Sequence, residues 1–163
     1  MIKWAFQALP EKDRFGLLFE NVEGSELSLC TGALGASRAS YALALDCEPD
    51  QINPRWEEAL VNPLKPAIVE KAACQEVVLM GDEAKLSDLP VPTWTPGKDP
   101  APYITTTVMT KLVDSDNQNS GVYRTLVRDD HHVVVNMNPR RGGNDQCETW
   151  WSQGKAAPVA WVI

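Results

Sequence analysis

Hydrophobic and polar positions change period several times along this chain of 163 residues. Phe15 to Glu20 (FGLLFE) is a short apolar run, Glu23-Gly24-Ser25 is turn-prone, and Leu27 to Thr31 alternates apolar with polar, which predicts two strands joined by a bend. From Ser37 to Asp46 the period lengthens to that of a helix, with Ala39, Ala42, Leu43 and Leu45 on one face and Ser37 placed to cap the first amides. Pro49 ends it. Asn53-Pro54 predicts a second helix start, because proline in the first turn gives up an N–H that has no partner there; Pro63 and Pro66 stop that helix after Val61. Gln75 to Met80 (QEVVLM) predicts another strand.

Leu86 to Pro102 (LSDLPVPTWTPGKDPAP) is dense in prolines, which donate no ladder hydrogen bonds, so it reads as an extended connector and a boundary. Beyond it, Tyr103 to Leu112, Val122 to Arg128 and His132 to Met137 are rich in Thr, Val, Ile and Tyr. The Asp114-Ser115-Asp116-Asn117 cluster and Asp129-Asp130 supply turns, and together these predict an antiparallel meander. Asn144 to Gln153 predicts a helix capped by Asn144 and closed by Gly154. Pro158 to Ile163 (PVAWVI) has the continuous apolar pattern of a buried strand, and the sequence stops inside it, which suggests a fragment whose apolar end self-associates or needs a partner strand. The class expected is α+β: a small α/β amino-terminal region over 1–87, a proline-rich connector over 88–102, and a β-rich region over 103–163.

Composition narrows the function classes. A hydrophobic share of 44% with 23% charged residues is that of a packed globular chain and excludes a wholly disordered or collagen-like one. The formal net charge of -7 repels phosphate backbones and anionic membranes, so no nucleic-acid partner is expected. No membrane span is expected either, and the opening MIKWAFQALPEKDR lacks the apolar core of a signal peptide; the expected location is the cytoplasm. Cys30, Cys47, Cys74 and Cys147 are far apart without CxxC spacing, which predicts four reduced, buried or half-buried thiols rather than a zinc site.

Asn136 to Asn144 (NMNPRRGGN) is the most informative stretch. It offers two guanidiniums, two glycines that let the backbone approach a ligand, and a helix N-terminus whose free amides favour an anion. It reads either as a phosphate cradle or as a flexible loop with two solvated arginines. Nearby, Val122-Tyr123-Arg124 follows Asn119 closely; strand alternation places Arg124 on the face of Val122, either as an edge charge reaching water or as the partner of a carboxylate or phosphate. His131 and His132 point to opposite sides of a strand and cannot share a metal. The six tryptophans, among them Trp94 and Trp151, read first as core or interface anchors. No G-x-S-x-G, P-loop or H-E-x-x-H motif occurs, which leaves self-contained hydrolase chemistry unsupported.

Taken together, LLFENVEG (Leu17 to Gly24), the Gly35 to Leu45 helix, PLKP (Pro63 to Pro66), DLPVPTWTPGKDPAPYITT (Asp88 to Thr106), NSGVYR (Asn119 to Arg124) and RGG (Arg141 to Gly143) resemble, in order and spacing, the UbiD family of prenylated-FMN-dependent decarboxylases. The resemblance runs from about Phe15 to the last residue. It implies that the β-rich region is part of a split antiparallel β-barrel related to flavin reductases. It also implies non-oxidative, reversible decarboxylation of an aromatic or α,β-unsaturated carboxylic acid, with prenylated FMN, a divalent metal such as manganese and potassium as cofactors. A flavin prenyltransferase would supply the cofactor, and a homo-oligomer or the remainder of the enzyme would be the protein partner.

Carried over residue by residue, the resemblance makes Asn119 the metal ligand. Val122, Tyr123, Arg124, Asn136, Met137, Asn138, Arg141 and Gly142 become cofactor contacts, and Arg124 the catalytic residue facing the substrate carboxylate. Two departures stand out: Arg140 occupies the position where the family commonly has His, and the family's metal-binding Glu and catalytic acid fall beyond Ile163. The resemblance therefore implies a chain that seats part of the cofactor without completing the reaction by itself. The alternative is a short non-catalytic subunit, or a flavin-binding or assembly module, of a UbiD-type complex.

Overall fold

The computed structural model describes residues 8–163. Trp4 and the rest of residues 1–7 lie outside them. The chain divides into two compact units, 1–78 and 79–163.

In the first unit, β1 (Leu17–Phe19) and β2 (Leu29–Thr31) pair antiparallel with Leu17 opposite Thr31, so both expected strands form, each shorter than its apolar run. Helix α1 (Arg38–Ala44) starts where the sequence puts it: Ser37 is extended, and its hydroxyl accepts the Ser40 amide at 3.3 Å. Helix α2 (Ile52–Val61) begins just ahead of Asn53, with Pro54 in its first turn. The expected strand over Gln75 to Met80 is absent. A short 3-10 turn covers Ala73–Gln75, and Val77, Val78 and Met80 are exposed. High β-propensity forms no strand where no neighbouring strand accepts its backbone hydrogen bonds.

The second unit holds β3 (Tyr103–Ile104), β4 (Thr107–Lys111), β5 (Gln118–Val122), β6 (Thr125–Asp129), β7 (His132–Val135), helix α3 (Gly142–Trp151) and β8 (Val159–Val162). They make a mixed α/β unit with two antiparallel sheets, ordered β3-β6-β7 and β5-β4-β8, which form no closed barrel among the described residues. One register runs through both. Ile104 faces Thr125 in the first sheet and Thr107 faces Val122 in the second, three residues further along each strand. The same register reaches the turn, where the Leu112 amide donates to the Asn117 carbonyl at 3.1 Å. β3–β4 and β5–β6 are thus the two arms of one long hairpin that passes from sheet to sheet at 105–106 and 123–124. The meander of the sequence is correct; its long strands are each broken once.

Alternation along β4 puts Val108 and Thr110 in the interior, Val108 with no exposed surface. Helix α3 covers this face through polar contacts. Thr110 Oγ1 donates to Gln146 Oε1 at 2.9 Å, Trp150 Nε1 to the Lys111 carbonyl at 2.7 Å, and the Val113 amide to Thr149 Oγ1 at 3.1 Å. The expected Asn144 cap is displaced: the helix begins at Gly142 with Arg141 as its N-cap, so both glycines are helical and Asn144 is buried inside, donating to Glu148 Oε1 at 2.8 Å. Strand β8 pairs with β4, Thr110 facing Val159, so the apolar end has one partner strand within the chain. The proline-rich run is tied into this unit, the Tyr103 amide donating to the Pro92 carbonyl at 3.1 Å and the Val127 amide to the Pro102 carbonyl at 3.0 Å.

All four cysteines are free, but Cys30 and Cys74 are exposed, unlike the buried or half-buried thiols expected; only Cys147 is buried, and that burial pushes its thiol pKa up. No helix among the described residues is long and apolar enough to cross a membrane.

The two sheets are pinned at Thr125, which is fully buried. Its hydroxyl donates to the Tyr123 carbonyl at 3.1 Å and accepts from Trp161 Nε1 at 3.0 Å. Thr125→Val keeps the shape but leaves the indole N–H without a partner. A loss of about 1–3 kcal/mol is expected in urea unfolding, with Thr125→Ser retaining most of the stability.

Candidate functional site

Residues 123–124 sit where the long hairpin changes sheets, and the surrounding side chains converge on Tyr123. Its hydroxyl accepts the Gly143 amide at 3.0 Å and the Asn119 Nδ2 at 3.4 Å. A tyrosine hydroxyl has two acceptor positions and one proton, so these two contacts leave the proton for an outside acceptor. The approach is close because glycines permit it. A Cβ on Gly143 would lie 2.7 Å from the Tyr123 hydroxyl, one on Gly121 would lie 2.8 Å from the Tyr123 ring, and one on Gly142 would collide with Asn119 Oδ1. The N-terminus of α3, whose first amides have no partner within the helix and which carries the positive dipole end, is thereby brought against Asn119 and Tyr123.

Arg124 faces elsewhere. Its Nη2 donates to Asp99 Oδ1 at 2.8 Å, and its guanidinium lies 4.2 Å above the Tyr103 ring centroid. Being in the crossover rather than within a strand, it does not share a strand face with Val122, which the alternation had predicted. Arg124 holds the Asp99 carboxyl below the ordinary aspartate range, helped by the Thr95 amide and opposed by partial desolvation.

Of the residues singled out by sequence, the structure brings Asn119, Tyr123 and Gly142 together. Asn136 joins through the backbone, its amide donating to the Arg124 carbonyl at 3.0 Å. Val122 is exposed in β5 opposite Thr107. Arg141 is exposed at the helix N-cap, and no hydrogen bond or ion pair ties its guanidinium, or the side chains of Met137 and Asn138, to this cluster among the described residues. His131 and His132 are both exposed, His132 paired with Asp129 at 2.7 Å. Asp99, Tyr103 and Gly121 were not singled out as site residues, whereas Gly143 belonged to the glycine pair of the predicted cradle. Gly121 inside a strand was the available signal, since glycine there marks close approach by another group.

This donor set, helix amides and the Tyr123 proton, suits an anionic group such as a flavin phosphate. Toward a divalent metal it offers one amide oxygen, Asn119 Oδ1. Among the described residues no three His, Cys, Asp or Glu side chains cluster, and Arg140, in a left-handed conformation at φ 62°, is no ligand. We therefore derive no step through a metal.

A family model for UbiD, described as the 3-octaprenyl-4-hydroxybenzoate carboxy-lyase Rift-related domain, matches residues 67–163. The UbiD-class enzyme HmfF from Pelotomaculum thermopropionicum in complex with FMN is similar with a TM-score of 0.83 and 26% identity, over 91% of this chain and 33% of that one. An evolved dimeric form of HmfF in complex with prFMN gives 0.84 and 25%, over 96% and 37%. The apo 3,4-dihydroxybenzoic acid decarboxylase AroY from Klebsiella pneumoniae gives 0.78 and 25%, over 88% and 31%. The chain spans about a third of the length of these enzymes.

Two tests follow from the geometry. Gly142→Ala displaces only the end of the Asn119 side chain, and alanine regains about 0.5–1 kcal/mol of helix preference, so stability should hold within about 1 kcal/mol while the Asn119 and Tyr123 side-chain resonances shift. An unmoved Asn119 signal would refute the close approach. For Asp99, the lowered folded-state pKa means its contribution is present above the unfolded value near about 4 and is lost as pH falls through the folded one. Carbon-detected NMR titration should show this carboxyl rising toward the ordinary range in Arg124→Gln.

Proposed function

Because this chain belongs to the UbiD family, we propose that it provides the cofactor-seating region of a non-oxidative, reversible decarboxylase for an aromatic or α,β-unsaturated carboxylic acid, with prenylated FMN as its cofactor. One observation carries the reading: Asn119, Tyr123 and the glycine-opened start of α3 meet at the point where the hairpin crosses between sheets. The names of the similar enzymes support it, since HmfF is described with FMN and with prFMN, and AroY acts on an aromatic acid. The two sheets are read as part of a split barrel.

When bound, prenylated FMN supplies the electron sink for loss of carbon dioxide. The chain's own residues do the rest of what is proposed. The α3 amides, Arg141 and the Tyr123 hydroxyl hold the phosphate, whose dianion is costly to desolvate without donors. Residues 122–124 and 136–138 border the ring. Arg124 orients the substrate carboxylate, and Asn119 contributes one ligand to a manganese ion completed by other groups.

Anaerobic titration with prenylated FMN and manganese, followed by flavin absorbance, tests this. Asn119→Ala and Arg124→Ala should each weaken binding about tenfold, corresponding to about 1.4 kcal/mol. Unchanged affinity in both would remove the assignment.

A further inference from the structure

The Arg124 guanidinium already has a carboxylate. Asp99 is 11% exposed and fixed by its own turn: Oδ2 accepts the Thr95 amide at 2.8 Å, and the Lys98 and Asp99 amides donate to the Thr95 carbonyl at 3.0 and 2.9 Å. Arg124 is the more exposed partner, at 52%, and is laid across Tyr103. Only Nη2 is engaged; Nη1 and Nε form no hydrogen bond or ion pair among the described residues. The guanidinium is thus oriented by one fixed anion and one ring, with donors left over for a second anion.

We propose that Asp99 is a resident carboxylate on Arg124 that sets how tightly an external carboxylate is held there, an inference resting on the reading of Arg124 as the carboxylate-binding residue. An incoming carboxylate either takes the open donors beside Asp99 or replaces Asp99 at Nη2. Both routes place two like charges around one guanidinium, which weakens binding. The Arg124 side of the pair is half exposed, so solvent and an incoming anion reach the guanidinium and exchange is accessible. The site therefore admits an acid only when the rest of the ligand adds its own contacts, which makes Asp99 a determinant of specificity rather than a group acting on the reacting atoms.

The test follows the Arg124 Nε–H signal of the isotope-labelled chain, assigned by its loss in Arg124→Gln, during titration with benzoate in wild type, Asp99→Asn and Asp99→Glu. Asparagine keeps the shape and an acceptor for Thr95 while removing the charge, so benzoate should bind about fivefold more tightly to Asp99→Asn. Asp99→Glu, which restores the charge, should return to within about twofold of wild type, a reversal that a merely structural role would not produce. Equal or weaker binding in Asp99→Asn, with Arg124 still responding, would overturn the role of Asp99 and leave the carboxylate site standing. An Arg124 signal unmoved by benzoate in wild type and Asp99→Asn alike would overturn both readings.

Discussion

The second unit depends on a close contact that glycine permits: the first turn of α3 pressed against Asn119 and Tyr123. Glycines within helices or strands cost about 0.5–1 kcal/mol each relative to alanine, and here three of them, Gly121 in β5 and Gly142 and Gly143 in α3, make room for one ring and one amide. The reward is local chemistry. The Gly143 amide, which a helix start leaves without an intrahelical partner, is bound by the Tyr123 hydroxyl, and that hydroxyl keeps its proton for something outside. The apposition fixes Tyr123, and Tyr123 fixes where Arg124 leaves the backbone.

That placement needs the hairpin to change sheets at the same step. A single register along this hairpin means that among its described residues 105–106 and 123–124 are where it breaks, and there the strands diverge without slipping. Thr125 holds the divergence by bonding the Tyr123 carbonyl on one side and the Trp161 indole of β8 on the other. The helix is then fastened over β4 by Gln146, Thr149 and Trp150. Polar contacts do much of this work, so the position of α3 is set by direction as well as by burial.

Much of this was legible in the sequence, and the misses have physical causes. Ser37 announced α1, and the Thr- and Val-rich runs announced the meander, because capping and alternation are local signals. The break at 123–124 was invisible, since Tyr and Arg fit a strand equally well and only the second sheet pulls the chain away. Asn144 looked like a cap but lies in the helix, because the steric freedom of Gly142 and Gly143 lets α3 start earlier and the buried amide finds Glu148. QEVVLM kept its β-propensity and lacked a neighbour. Asn119 and Tyr123 were legible through their motif, whereas Asp99 drew no notice in a proline-rich run that read as a connector.

Charge explains why the site can be electropositive on a chain of net charge -7. Arg140 and Arg141 immediately precede α3, whose first turn carries the positive end of the helix dipole, while Arg124 is paired with Asp99. Excess acidic charge elsewhere repels anions at long range, but the screening length of about 8–10 Å in physiological salt confines that effect, so the field at the start of α3 is set mainly by the groups beside it. The same reasoning makes Asp99 consequential. Among the described residues it is the carboxylate paired directly with Arg124, well inside the screening length, where a single charge weighs more than the remote surplus.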